Sequence, residues 1–191
     1  LPLIGNHQVL KEFESWVELH CTELDINLID PVTLQDKYTK ASIALESRLP
    51  YEMFLISDNY DNASESEKVN AWLGYINFEI KESQMSRAVR LYERSVSDCG
   101  NSFDLWYQYM EFVRFILKDF QFLYHITTMN SCQNVMQNQL KYWKIRLETL
   151  EIVQSNDDEI YLNTWEYAIN HIQFNNSIDY LSIYKLSCDY L

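Results

Sequence analysis

The 191-residue chain carries 28 acidic against 15 basic residues, a formal charge of −13, with hydrophobic residues at 47%. Phosphate backbones are bound through lysine and arginine with release of counterions, so this balance argues against direct nucleic-acid binding and toward a basic protein partner. Three glycines and three prolines are too few for the many tight turns of a strand-rich fold, and no apolar stretch reaches the length that spans a membrane.

Helical periodicity runs along the chain. The first segment, about 7–22, places Val9, Phe13, Trp16 and Val17 on one face. Asp30-Pro31 reads as a cap followed by a first-turn proline. The helix it opens, to about 48, carries Leu34, Tyr38, Ala41 and Leu45 and closes a hairpin over 7–48. PYEMFLIS, at 50–57, is a short connecting segment. Ser64, with Glu65 and Glu67 behind it, suits a helix start. In that helix Val69, Trp72, Leu73, Ile76 and Ile80 form a stripe, and Tyr75 and Phe78 widen it to a helix buried on two sides. The next helix, about 84–98, lines Met85, Ala88, Val89, Tyr92, Ser95, Val96 and Cys99 along one side, and Gly100 stops it. Only Glu82 and Ser83 separate these two helices, which predicts an antiparallel hairpin over 64–99.

The pattern then recurs. A hairpin over 102–131 pairs a helix at 103–117 (Trp106, Tyr109, Phe112, Val113, Ile116) with one at 119–131 (Phe120, Leu123, Tyr124, Thr127). A hairpin over 135–172 pairs 135–151 (Leu140, Trp143, Leu147, Leu150) with 159–172 (Ile160, Tyr161, Trp165, Ala168, Ile172), joined through the polar loop at 155–158. A last, unpaired helix covers 177–191. Trp72 and Trp106 are 34 residues apart, and Leu140, 34 further on, is expected to hold the tryptophan's place. A hairpin cannot bury its own apolar faces, whereas hairpins stacked in one direction bury them against their neighbours. The expected fold is therefore all-α, an α/α superhelix (solenoid) of antiparallel helical hairpins over 1–191.

Reaction chemistry finds little support. Cysteines 21, 99, 132 and 188 show no C-x-x-C spacing, so neither a zinc site nor a disulfide frame is expected. His7, His20, His125 and His171 are dispersed, and H-E-x-x-H, G-x-S-x-G and Gly-rich phosphate loops are absent. The acidic run at 58–67 lacks EF-hand spacing and its turn glycine. No catalytic residue, metal or cofactor is expected. Glu79 and Arg94 each sit among apolar neighbours. A structural contact, with Arg94 bonding a carboxylate or a helix end, outweighs a catalytic acid with an electrostatic partner. Tyr107, off the Trp106 stripe, is a candidate partner contact. An enzyme subunit built from tryptophan-rich hairpins, such as a prenyltransferase α chain, is the alternative of another class.

W-x-x-Y-x-x-F-E at Trp72, Tyr75, Phe78 and Glu79, followed by R-A-x-x-x-Y-E-R-S with Ala88, Tyr92 and Arg94, resembles the half-a-tetratricopeptide (HAT) repeat of RNA-processing proteins. Trp106, Tyr109 and Phe112 repeat the first part. Val113 stands where the glutamate belongs, Thr127 where the arginine belongs, and Trp143 in the tyrosine place; Trp165 marks the following helix. The order FESWVE, KYTKASIALESRLPYE, AWLGYINFEIK, DLWYQYMEFV and TWEYAIN is similar to the middle of the HAT array in the U4/U6 snRNP recycling branch of the family. The resemblance implies a nuclear scaffold, in the nucleoplasm and Cajal bodies, whose partners are snRNP proteins and ubiquitin-specific proteases. It implies homodimerisation through later repeats, and contact with U6 snRNA only through RNA-recognition motifs outside this segment. HAT scaffolds of pre-mRNA 3′-end cleavage or ribosomal RNA processing are the near alternatives. Which surface binds a partner stays open at this level.

Overall fold

All regular elements among the described residues are helical; in this computed structural model those residues are 6–20, 31–153, 158–172, 181 and 184–185. The chain divides into two compact units, 1–63 and 64–191.

In the first unit α1 (Asn6–His20) packs on α2 (Pro31–Glu46), α2 on α3 (Leu49–Leu55), and α3 on α4 (Asp58–Asp61). The end of α2 is closed by its own chain: Arg48 Nη1 donates to the Ala44 carbonyl at 2.7 Å, satisfying an acceptor that the helix leaves open. Ser57 caps α4, its hydroxyl accepting from the Tyr60 N–H, and Tyr60 meets Phe54 edge-on. The predicted apolar face of α1 is only partly covered, for Val9 and Trp16 are exposed.

The second unit begins with α5 (Glu65–Lys81). Ser64 Oγ accepts from the Glu67 N–H, and the Glu67 carboxylate accepts from the Ser64 N–H at 2.8 Å, a reciprocal capping box. These bonds hold the Glu67 carboxyl below its ordinary pKa, the side-chain bond first and the backbone bond second. The helix ends in a Schellman turn: the Gln84 N–H reaches the Glu79 carbonyl and the Ser83 N–H reaches that of Ile80. Ser83 takes the left-handed conformation at φ 58°. The chain thereby reverses into α6 (Met85–Asp98).

Gly100 follows α6 closely. A Cβ there would lie 2.6 Å from the Val96 carbonyl oxygen, so only glycine fits against the helix end. Ser102 caps α7 (Phe103–Glu111), which winds on into a π-helical segment, Phe112–Leu117. Lys118 stops it at φ 55°, and Asp119 caps α8 (Phe120–Thr128), accepting from the Phe122 N–H at 2.9 Å. The helix expected over 119–131 is broken: Met129 is extended, and α9 (Asn130–Met136) starts afresh. Next come α10 (Leu140–Val153) and α11 (Asp158–His171). The helix expected over 177–191 lies largely outside the described residues, as does most of the loop expected at 155–158.

Packing in this unit is between neighbours: α5 with α6, α6 with α7, the π segment with α8, α8 with α10, and α10 with α11. That is the architecture of an all-α helical-repeat stack. Ile116 departs from its predicted place in the core, being 47% exposed, while Phe112 and Val113 are buried. In the π segment the backbone bonds reach five residues back rather than four. The apolar stripe therefore slips, and Phe115 and Ile116 turn outward. Ile160, placed on the core stripe of its helix, is also exposed.

Candidate functional site

The repeat-signature side chains form the contacts between helices. Trp72 of α5 is buried, and its indole N–H donates to Asp98 of α6 at 2.9 Å. Arg94, one turn before Asp98, lies over the same ring at 5.1 Å from its centroid. Positions i and i+4 of α6 thus grip one tryptophan from both its face and its edge. Glu79 is buried and Arg94 is exposed. Tyr75 is buried and Phe78 is partly so, while Ala88 has no exposed surface, as suits a small residue at a close helix approach.

The contact between successive hairpins is aromatic. Tyr92 of α6 stacks on Tyr109 of α7 and leans on Phe112 at 5.2 Å. Burial pushes the Tyr92 hydroxyl up to about 12. Tyr109 is likewise raised, by burial first and then by the charges of Glu93 and Tyr92.

Trp106 donates its indole N–H to the Gly100 carbonyl at 2.7 Å, and Trp143 donates to the Gln137 carbonyl at 2.6 Å. Each is the fourth residue of its helix and each reaches the carbonyl six residues back. Trp143 therefore plays the part of Trp106, and the expectation that Leu140 holds the tryptophan place is corrected. The step here is 37 residues instead of 34, the loop having absorbed the difference. Trp165 packs on a cluster of Leu147, Leu150 and Tyr161.

At Thr127, where the motif's arginine is missing, an arginine arrives from another helix. Arg146 of α10 donates to the Thr127 carbonyl at 3.0 Å, and the Tyr142 hydroxyl donates to the same oxygen at 2.6 Å. Burial raises the Tyr142 hydroxyl to about 12 against the opposing charge of Arg146. Burial likewise raises the Cys132 thiol to about 12, which favours the protonated thiol over the thiolate. Tyr107, the candidate partner contact, is partly covered: Phe103 stacks on it at 5.8 Å and the Lys141 ammonium lies 5.1 Å from its ring centroid.

Grooves open among the described residues of the second unit. One, about 500 Å³, runs between α5 and α7 and is edged by Glu65, Asp104, Asn70 and Gln108. A second, about 310 Å³, borders the π segment, with Phe115, Phe120 and Ile152 beside the Arg114–Glu148 ion pair. A third, about 300 Å³, is lined by Arg146, Asn163 and Tyr167 among others. Among the described residues no group of His, Cys, Asp and Glu has the arrangement of a metal site, and no helix is long and apolar enough to cross a membrane.

Residues 57–147 match the family model for the pre-mRNA-splicing factor Syf1/CNRKL1 N-terminal HAT repeat. The whole chain is similar to spliceosome associated factor 3, U4/U6 recycling protein, of Danio rerio, 29% identical over 193 residues, and to that of Homo sapiens, 24% identical over 199. The mouse protein is 23% identical over 197 residues. The chain spans 18% of the length of these relatives. Residues 57–147 thus resemble a HAT-repeat segment, within a chain similar along its whole length to the U4/U6 recycling proteins.

Proposed function

We propose that this chain is a non-catalytic protein-interaction scaffold of an RNA-processing factor, serving U4/U6 snRNP assembly and recycling in pre-mRNA splicing. The observation that carries this reading is similarity to the U4/U6 recycling proteins over the full chain, coupled with the HAT match. The packing supports it: signature aromatics are spent on holding helices together, and grooves are left on the outside. On this reading the chain acts in the nucleus, including Cajal bodies. Its partners are snRNP proteins and ubiquitin-specific proteases. Homodimerisation and U6 snRNA binding belong to parts of the protein outside this segment.

Affinity capture from nuclear extract with residues 1–191 tests the proposal. Retention of U4/U6 snRNP proteins is expected, with negligible affinity for naked RNA at moderate salt. Salt-resistant RNA binding, or capture of a cleavage or ribosomal RNA processing machine instead, overturns it. One observation favours a second reading. The matching family model is that of a different splicing factor, so retention of other spliceosomal proteins without U4/U6 components assigns the scaffold there.

A further inference from the structure

Arg146 is held in a manner suited to an anion. Its guanidinium lies over Trp143, 5.5 Å from the ring centroid. A single nitrogen, Nη1, donates to both the Thr127 carbonyl and the Tyr142 hydroxyl, at 3.0 and 2.7 Å. These bonds orient the planar fork, which has five donors in all. Among the described residues the other donors make no further hydrogen bond, and no carboxylate stands within ion-pair distance. The contrast is Arg114, which meets both Glu148 and Glu111. A partly buried cation without a counterion is costly, and this one persists in a chain with 28 acidic residues.

The surrounding pocket, about 300 Å³, lies where α9, α10 and α11 meet, and Gln133, Asn163, Thr164 and Tyr167 complete it. Trp143 has no exposed surface and backs the guanidinium. The accessible aromatic wall is Tyr167, 40% exposed and stacked on His171 at 3.8 Å. An oriented guanidinium beside neutral amides, a hydroxyl and a fixed aromatic face is a recognition site for one negative charge next to an apolar group.

We propose that this pocket binds the carboxylate side chain of an acidic residue in a partner protein, with a neighbouring apolar residue of the partner against Tyr167. The proposal rests on the scaffold reading and names one of its docking points. A phosphate carries nearly two charges, more than one arginine among neutral groups matches, and the chain's charge of −13 opposes a polyanion.

NMR titration of residues 1–191 with three blocked peptides tests it: acetyl-Phe-Glu-Leu-amide, its Gln counterpart and its phosphoserine counterpart. The Glu peptide is expected to shift the Asn163, Thr164 and Tyr167 resonances to saturation, and the Gln peptide to bind about tenfold more weakly. Asn163→Asp sets a like charge at the rim without touching the bonds of Arg146. It is expected to weaken the Glu peptide about tenfold with an unchanged Tm. Arg146→Lys keeps the charge but loses the fork and is expected to weaken binding too. Equal binding of the Glu and Gln peptides, no saturable shift at the pocket, indifference to Asn163→Asp, or preference for phosphoserine each overturns the proposal. None of these touches the wider scaffold reading, which fails separately in the capture experiment.

Discussion

The ring of Tyr92 on α6 lies flat on that of Tyr109 on α7, with centroids 4.7 Å apart and planes 9° from parallel. These helices belong to successive hairpins, so the stack is a bond between repeats. Stacked aromatic pairs contribute about 0.5–1.5 kcal/mol beyond their buried area. A double-mutant cycle with Tyr92→Leu and Tyr109→Leu, followed by urea unfolding, is expected to give a coupling energy in that range. Additive losses would mean that the two rings touch without cooperating.

Trp72→Ala and Trp106→Ala are each expected to lose about 3–5 kcal/mol, since both rings are buried. Trp143→Ala belongs with them, whereas Leu140→Ala, at a half-buried position, is expected to cost well under half as much. Thermal melts of the four variants decide the register. A greater loss at Leu140 than at Trp143 would restore the 34-residue step.

Ser83 carries a side chain where the turn after α5 needs a left-handed residue. That conformation costs an L-residue about 1–2 kcal/mol; a glycine avoids this strain, and its greater freedom in the unfolded chain offsets part of the gain. Ser83→Gly is expected to raise Tm modestly, and Ser83→Val to lower it. A fall in Tm for the glycine variant would show that the serine supplies something beyond the turn.

Gly100→Ala sets a methyl group against the Val96 carbonyl and displaces the oxygen that receives the Trp106 indole. A loss of about 1–3 kcal/mol is expected. A change in Trp106 fluorescence should accompany it, because the indole environment shifts. Wild-type stability together with wild-type emission would contradict the close fit.

Alkaline pH should weaken the fold before it breaks peptide chemistry. The unfolded chain releases its tyrosine protons near 10.0 and its cysteine protons near 9.0, whereas folded Tyr92, Tyr142 and Cys132 hold theirs to about 12. Between those values the native state binds more protons, so stability is full below the lower values and falls as pH rises toward 12. Urea midpoints measured from pH 8 upward are expected to decline through that window, with tyrosinate absorbance appearing alongside unfolding. Early, unfolding-independent ionisation of all the tyrosines would refute the burial argument.

Much of this architecture is written in the side-chain spacing. The stripe through Val69, Trp72, Ile76 and Ile80, the cap at Ser64 and the stop at Gly100 each follow from local rules. The π winding after Glu111 is not legible, because it depends on which backbone carbonyl each N–H selects. That choice moved Ile116 from core to surface. The break at Met129 is similarly silent, with neither glycine nor proline to mark it. Arg146 escaped notice because its partners are a carbonyl on α8 and a phenol one turn away. Glu79 and Arg94 drew attention by charge, yet the grip on Trp72 is completed by Asp98, which no motif singled out.

Both later tryptophans fasten onto main-chain oxygens, one offered by a glycine and the other by a glutamine. Any backbone carbonyl can serve as such an acceptor. The anchor itself demands one indole and a turn of fixed shape: the close helix end restricts the residue at Gly100, whereas at Gln137 a long side chain is accommodated. Loop positions that meet no such helix end are accordingly free to diversify in composition, and to acquire new binding chemistry, without unfastening the hairpin behind them.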